Sequence, residues 1–179
     1  MFYLFLADGF EETEALAPLD MMRRAKIEVK TVGVTGEVVT GSHGVSVKAD
    51  LKPEEISYND IEGVVLPGGM PGTINLIKSD AVEKATTYCF ENNKITAAIC
   101  AAPSVLGNLG ILKGKKATCF PGFEKELEGA TYTAAPVEVD GNVITGKGAG
   151  CAILFGKAIV EKVLSAEAAN KVCGDMQCP

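Results

Sequence analysis

One cysteine, Cys100, stands where a thiol could act as a nucleophile. Residues 95–99 before it form a short apolar run with β-branched members, which is typical of a buried strand. Small residues follow, and Pro103 marks a point where a helix can begin, because the first turn of a helix tolerates a missing N–H. A strand that passes into a helix through one residue is the pattern of a nucleophile elbow. The N-terminal end of that helix would favour a thiolate, so we expect the pKa of Cys100 to be lowered.

A different interpretation of Cys100 is an inert cysteine buried in the core. For a single cysteine in an apolar run, this interpretation is the common one. The strand before Cys100, the small residues beside it and the proline after it favour the reactive thiol instead.

Two further loops follow predicted strands. The strand over residues 1–7 is followed by Asp8-Gly9-Phe10 and by a helix with Glu11, Glu12 and Glu14 in its first turn, where acidic groups complement the helix dipole. The strand over residues 61–66 ends in the loop 67–72, which has almost no side chains, so its N–H groups could face a ligand or an oxyanion. A plain turn between a strand and a helix explains the second loop equally well.

Strands and helices alternate along the chain, which predicts an α/β fold with a mostly parallel sheet. The pattern predicts strands at 28–34 and 116–119, hairpins at 38–47 and 137–145, and helices at 11–24, 80–92, 103–109 and from 152 onward. We expect a flavodoxin-like three-layer sandwich in a single domain, residues 1–179, with a loose segment at 173–179. Since ligand sites in such sheets lie beyond the carboxyl ends of the strands, the three loops should meet at one edge.

Composition excludes several classes of function. The net charge is −6 and there are only two arginines, so a nucleic-acid partner is not expected. Residues 1–7 lack a basic flank and no apolar run is long enough to span a bilayer, so we expect neither a signal peptide nor a membrane partner. Six cysteines without a C-x-x-C motif indicate a reduced, cytoplasmic protein.

Neither a metal nor a cofactor is expected from the sequence. His43 is the only histidine, which removes most zinc sites. The glycines of residues 146–150 precede a helix and could cradle a phosphate, but the spacing of the dinucleotide-binding and P-loop motifs is absent.

The chain resembles the ThiJ/PfpI superfamily, and within it the branch of the parkinsonism-associated protein deglycase and the bacterial ThiJ-like proteins. The motifs that carry the resemblance run in order along nearly the whole chain: ADGFEETE at 7–14, PLDMMRRA at 18–25, LPGG at 66–69, AICAAP at 98–103 and GKGAG at 146–150. The resemblance implies that Cys100 is the nucleophile and Glu14 its partner carboxylate. It also implies that the backbone N–H groups of Gly69 and Ala101 form an oxyanion hole.

One departure from the family pattern matters for mechanism. Phe120 stands where the human deglycase-like members have a histidine near the cysteine, and bacterial ThiJ-like relatives are similar in carrying Phe there. A Cys–His–Glu protease or amidotransferase mechanism would therefore lack its base. The resemblance further implies a homodimer, in which the hairpin around His43 reaches toward the partner subunit's site.

A glutamic acid held against a buried thiol should have a raised pKa and could donate a hydrogen bond to the thiolate. Periodicity cannot choose among Glu11, Glu12 and Glu14; the resemblance selects Glu14, and the other two are expected to be solvated first-turn charges. The implied activity is a glutathione-independent conversion of methylglyoxal or glyoxal, or removal of their early adducts, with Glu14 as the proton relay. The alternative is a redox sensor or chaperone in which Cys100 oxidises to a sulfinate. The other five cysteines are expected to be structural or incidental.

Overall fold

The computed structural model describes residues 1–178, and its centre is a six-stranded sheet with the order β2-β1-β5-β6-β10-β9. The strands are β1 (Phe2–Leu6), β2 (Val29–Gly33), β3 (Val38–Thr40), β4 (Ser46–Lys48), β5 (Gly63–Leu66), β6 (Ile95–Ile99), β7 (Lys116–Ala117), β8 (Thr131–Tyr132), β9 (Val137–Asp140) and β10 (Val143–Gly146). The helices are α1 (Glu12–Arg24), α2 (Gly72–Ile77), α3 (Asp80–Glu91), α4 (Pro103–Asn108), α5 (Ala152–Val163) and α6 (Ala166–Asp175). Short 3₁₀ turns lie at Pro53–Glu55, Glu124–Glu126 and Ala149–Cys151.

The central sheet is parallel except at one edge. Neighbouring pairs from β2 to β10 run parallel, and only β9 pairs antiparallel with β10, through the turn around Gly141. The predicted α/β fold with a mostly parallel sheet is confirmed. The predicted hairpin over residues 38–47 forms as β3 and β4, outside the central sheet.

Helices cover both faces of the sheet because successive side chains of a strand point to opposite sides. In β1, Phe2, Leu4 and Leu6 join one apolar cluster with residues of α1, α5 and α6. Tyr3 and Phe5 join the other cluster, with residues of α3 and α4. The fold therefore has the expected three layers.

The helices α1 and α5 approach each other closely because of a glycine. A Cβ on Gly156 would stand 2.7 Å from the Met21 sulfur and 3.0 Å from the Cα of Pro18. A larger residue at this position of α5 would push α1 away from the sheet, and α1 carries Glu14.

The C-terminal segment differs from the prediction. We expected residues 173–179 to be loose, but α6 continues through Asp175, so this expectation is wrong for residues 173–175. The helix is capped by Ser165 and buries Ala169 and Val172, three residues apart, on one face. Pro179 lies outside the described residues. In residues 1–178, no helix combines the length and apolar character that a membrane span needs.

Candidate active site

The three loops singled out in the sequence meet at one edge of the sheet. They follow β1, β5 and β6, which are adjacent parallel strands, so their carboxyl ends lie side by side. Glu11 N–H donates to the carbonyl of Gly68 at 2.9 Å and links the first loop to the second. The candidate site is built where these loops converge.

Cys100 occupies a strained turn directly after β6. Its φ of +66° lies in the left-handed region, which residues other than glycine rarely adopt. The turn is held from both sides, because Cys100 N–H donates to Gly146 O at 2.9 Å and Phe120 N–H donates to Cys100 O at 2.8 Å. The side chain is half-buried, and α4 begins three residues later. This is the backbone geometry of a nucleophile elbow.

Glu14 is fully buried in the first turn of α1. The side chain of Glu11, the residue before the helix, accepts a hydrogen bond from Glu14 N–H at 2.7 Å and so fixes this turn. The Oε2 atom of Glu14 accepts a hydrogen bond from Gly68 N–H at 2.9 Å. Its Oε1 atom is buried and accepts no hydrogen bond from residues 1–178.

Gly68 allows the carboxyl of Glu14 and the side chain of Cys100 to approach each other. A Cβ on Gly68 would stand 2.7 Å from Cys100 Cβ and 2.7 Å from Glu14 Oε2. The Cys100 thiol is close enough to the Glu14 carboxyl to lower the pKa of that carboxyl. No hydrogen bond to Glu14 Oε1 forms within residues 1–178, however. Of the three first-turn glutamates, Glu14 is the one that the fold brings to Cys100.

Burial dominates the electrostatics of this pair. It raises the pKa of Glu14 to about 7, with a smaller contribution from the charge of Glu11; the Cys100 side chain and Gly68 N–H oppose the shift. Burial also raises the pKa of the Cys100 thiol to about 12, together with the adjacent Glu14 carboxylate. The expectation of a lowered thiol pKa is therefore wrong: desolvation and a neighbouring negative charge outweigh the short helix α4.

Two backbone N–H groups favour negative charge on the sulfur of Cys100. The N–H groups of Ala101 and Gly69 lie close enough to the sulfur to lower its pKa, although they do not overcome the effect of burial. Gly69 has a φ of +90°, and a Cβ there would collide with the backbone N of Glu11. The site requires glycine at this position.

The carboxyl of Glu12 fastens the β3–β4 hairpin to α1. It accepts hydrogen bonds from His43 N–H at 2.7 Å and Val45 N–H at 3.4 Å, and His43 Nδ1 lies 2.8 Å from its Oε2. Burial opposes ionisation, but these hydrogen bonds outweigh it and lower the pKa of Glu12 to about 2. The structure therefore corrects the expectation that Glu11 and Glu12 are merely solvated charges: one caps the helix and the other holds the hairpin.

His43 does not contact Cys100 within its own chain. Its imidazole pairs with Glu12, which raises the pKa of His43, and its side chain remains 72% exposed. Phe120, the residue at the family's histidine position, is 48% exposed and packs beside Gly148, where an added Cβ would stand 3.2 Å from its ring. The neighbouring Cys119 is fully buried.

One group of potential metal ligands occurs among residues 1–178. Ligand atoms of Glu11, Glu12 and His43 lie within 4.8 Å of one another. The oxygens of Glu12 and Glu11 already accept hydrogen bonds from the hairpin and from Glu14, so the cluster is explained by structure alone.

Sequence reasoning missed two contributors to the site. The N–H of Gly68 binds the Glu14 carboxyl, and Glu11 caps the helix that carries it. The glycine-rich loop after β5 signalled free N–H groups, but it did not indicate their ligand. Glutamate is an uncommon N-cap, so the role of Glu11 had no clear signal.

The sequence matches the DJ-1/PfpI family over residues 2–162. The chain belongs to this family. It is 37% identical over 174 residues to the Parkinson disease protein 7 homolog of Danio rerio, covering 94% of this chain and 92% of that one. Over 143 residues, it is 33% identical to a protein of Pyrococcus abyssi that is named a deglycase, covering 79% of this chain and 86% of that one.

Two relatives from Arabidopsis thaliana are longer than this chain. The DJ-1 homolog B of Arabidopsis thaliana is 35% identical over 174 residues, covering 96% of this chain, yet the chain spans only 40% of that protein and 44% of homolog A. Two solved structures share the fold. A cysteine-to-alanine mutant of a DJ-1 superfamily protein from Salmonella typhimurium has a TM-score of 0.94 at 32% identity, covering 99% of this chain and 98% of that one. Toxoplasma gondii DJ-1, described as oxidized, has a TM-score of 0.94 at 31% identity, covering 98% and 97%.

Proposed function

We propose that this protein is a cysteine-dependent enzyme that converts methylglyoxal, glyoxal or their early adducts without glutathione. The observation that carries the proposal is the buried carboxyl of Glu14 beside Cys100, with a pKa raised to about 7. A general acid–base works best when its pKa is near the working pH. The family relative named a deglycase supports the same class of substrate.

In this proposal, Glu14 supplies the base that a histidine would supply elsewhere. The thiol holds its proton at neutral pH because its pKa is raised to about 12, so the nucleophile must be generated in place. As the sulfur of Cys100 attacks the aldehyde carbon, the Glu14 carboxylate takes the S–H proton. The N–H groups of Gly69 and Ala101 stabilise the new alkoxide, which then takes this proton from Glu14 and becomes a hemithioacetal hydroxyl.

The remaining steps are proton transfers through the same carboxylate. Glu14 removes the C–H proton of the former aldehyde carbon, the electron pair moves toward the neighbouring carbonyl, and an enediol forms. Glu14 returns the proton to the second carbon, which leaves that carbon reduced and the first oxidised to a thioester of Cys100. Water then adds to the thioester and releases the thiol, so methylglyoxal and water give lactate and a proton.

The second candidate is a redox sensor in which Cys100 is oxidised to a sulfinate. The half-buried position of Cys100 and the relative described as oxidized favour it. Oxidation follows thiolate character, however, and the raised pKa of Cys100 works against a resting thiolate. The Glu14 carboxylate can take the thiol proton during catalysis, whereas a sensor needs a thiolate that is already present at rest. The pair therefore favours the enzyme.

The experiment that separates the two candidates compares Glu14→Asp with the wild type in a glutathione-free assay for lactate. The shorter side chain retains an acid but retracts it by one methylene, so we expect turnover to fall about a hundredfold. Cys100→Ala should reduce turnover to the buffer rate, and Cys178→Ala, which changes a cysteine outside the site, serves as the matched control. Peroxide should still oxidise Cys100 in Glu14→Asp, as measured by mass spectrometry on the tryptic peptide 95–113, which contains no other cysteine.

Wild-type protein that turns over no aldehyde above buffer, yet forms a sulfinate at Cys100 and at no other cysteine, would refute the enzyme and leave the sensor. Four further expectations stay predictions. They are assembly as a homodimer, a contact from the His43 hairpin to the partner subunit's site, a single domain over residues 1–179, and a cytoplasmic location.

A further inference from the structure

The last turn of α6 ends in a capping motif that pairs two cysteines. Gln177 has a φ of +55°, in the left-handed region. Cys178 N–H donates to Cys173 O at 2.9 Å, and Gln177 N–H donates to Gly174 O at 3.1 Å. These two hydrogen bonds and the left-handed residue define a Schellman motif, in which the residue after the turn packs on the residue five positions earlier. Both of these positions are cysteine.

The capping motif also brings the two side chains near each other, because these two positions are in contact in a Schellman motif. Burial raises the pKa of the Cys173 thiol, and the nearby Cys178 thiol adds to this shift. Both cysteines are free and half-buried. Cys173 packs against the edge of the apolar cluster that α5 and α6 share. Cys178 occupies the position at which the motif normally places an apolar contact with Cys173.

The backbone hydrogen bond limits the separation of the two residues. Because Cα is one bond from N and two bonds from the carbonyl oxygen, an N···O distance of 2.9 Å keeps the Cα atoms of Cys173 and Cys178 within about 7 Å of each other. This is the limit within which two cysteines can be bridged with little backbone movement. Gly174, in the intervening turn, has open space where a Cβ would stand, so the segment has room to adjust.

We propose that Cys173 and Cys178 form a dithiol site that hydroperoxides or small disulfides convert to an intrachain disulfide. With a hydroperoxide, one thiol is oxidised to a sulfenic acid as the O–O bond breaks and the peroxide leaves as water or an alcohol. The sulfur of the other thiol then displaces hydroxide from the sulfenic acid, and the hydroxide takes the thiol proton and leaves as water. With a small disulfide, one protein thiol forms a mixed disulfide and releases half of the reagent as a thiol. The other protein thiol then attacks the protein sulfur of the mixed disulfide and releases the second half as a thiol. The site lies at the end of α6, on no loop of the candidate active site, so it does not depend on the proposed function.

Mass spectrometry tests the proposal on the full-length protein. Trypsin cleaves after Lys171, so one peptide, 172–179, carries both cysteines and no other. After limited hydrogen peroxide and N-ethylmaleimide blocking, we expect this peptide to lose two hydrogens and to carry no maleimide. With oxidised glutathione, the internal disulfide should exceed the mixed disulfide by about tenfold, since the second thiol is held at a high effective concentration.

Variants show whether the capping geometry is responsible. Cys173→Ser and Cys178→Ser should retain the mixed glutathione disulfide and lose the internal one. Gln177→Gly keeps the left-handed position available, whereas Gln177→Val opposes it and should slow disulfide formation about fivefold. Two separate adducts on the wild-type peptide, or equal rates in Gln177→Gly and Gln177→Val, would overturn the proposal.

Discussion

The buried carboxyl of Glu14 makes the stability of the protein depend on pH in a direction opposite to that of most acidic residues. Its pKa is about 7 in the folded protein and 4.5 in the unfolded chain. The folded protein therefore binds the proton more tightly, and the stability that this group contributes is fully present below pH 4.5. It is lost as the pH rises through 7, because ionised Glu14 must remain buried beside Cys100.

The size of the effect follows from the difference between the two pKa values. At about 1.4 kcal/mol for each pKa unit, the whole change from 4.5 to about 7 is about 3.5 kcal/mol. Most of it, about 2.5 kcal/mol, falls between pH 5 and pH 8.5. Glu14→Gln is the perturbation of choice, because the amide oxygen still accepts the hydrogen bond from Gly68 N–H while the side chain has no charge at any pH.

The assay is urea unfolding of the wild type and of Glu14→Gln at several values between pH 5 and pH 8.5. We expect the free energy of unfolding of the wild type, relative to Glu14→Gln, to fall by about 2.5 kcal/mol over this range. In Cys100→Ala the fall should move to higher pH, because the Cys100 side chain lowers the pKa of Glu14 in the wild type. A difference that stays flat, or that grows with pH, would refute the burial and pairing of Glu14 described above.

Two further predictions concern the groups around this pair. The pKa of Glu12 is about 2 in the folded protein and 4.5 in the unfolded chain, so Glu12 contributes stability above pH 4.5 and loses it as the pH falls through 2. We therefore expect Glu12→Gln to be less stable than the wild type at pH 7. In urea unfolding at pH 3, the difference between the two should be smaller. Gly68→Ala would place a Cβ 2.7 Å from Cys100 Cβ and 2.9 Å from Ile99 O. We therefore expect this variant to have a lower thermal midpoint of unfolding and to lose lactate formation. A variant with the wild-type midpoint and the wild-type activity would contradict the packing at Gly68.

The sequence by itself determined the fold class and the position of the candidate nucleophile, Cys100. Apolar runs of strand length alternate with helical segments, and this pattern depends only on local spacing, so the parallel sheet and its two covered faces could be anticipated. The turn at Cys100 was signalled by the strand before it and by Pro103 after it. The identity of Glu14 as the partner of Cys100 needed more than spacing, because Glu11, Glu12 and Glu14 share one helical turn.

The tertiary structure decided what depends on contacts between distant residues. The pKa of Cys100 rises because the packing of β1, β5 and β6 buries its thiol against Glu14, and local sequence does not record burial. Glu12 was expected to be a solvated charge, but its carboxyl binds N–H groups of a hairpin about thirty residues later in the chain. At the end of the chain, α6 extends past Cys173 because Ala169 and Val172 pack on the rest of the fold, and that packing sets Cys173 against Cys178.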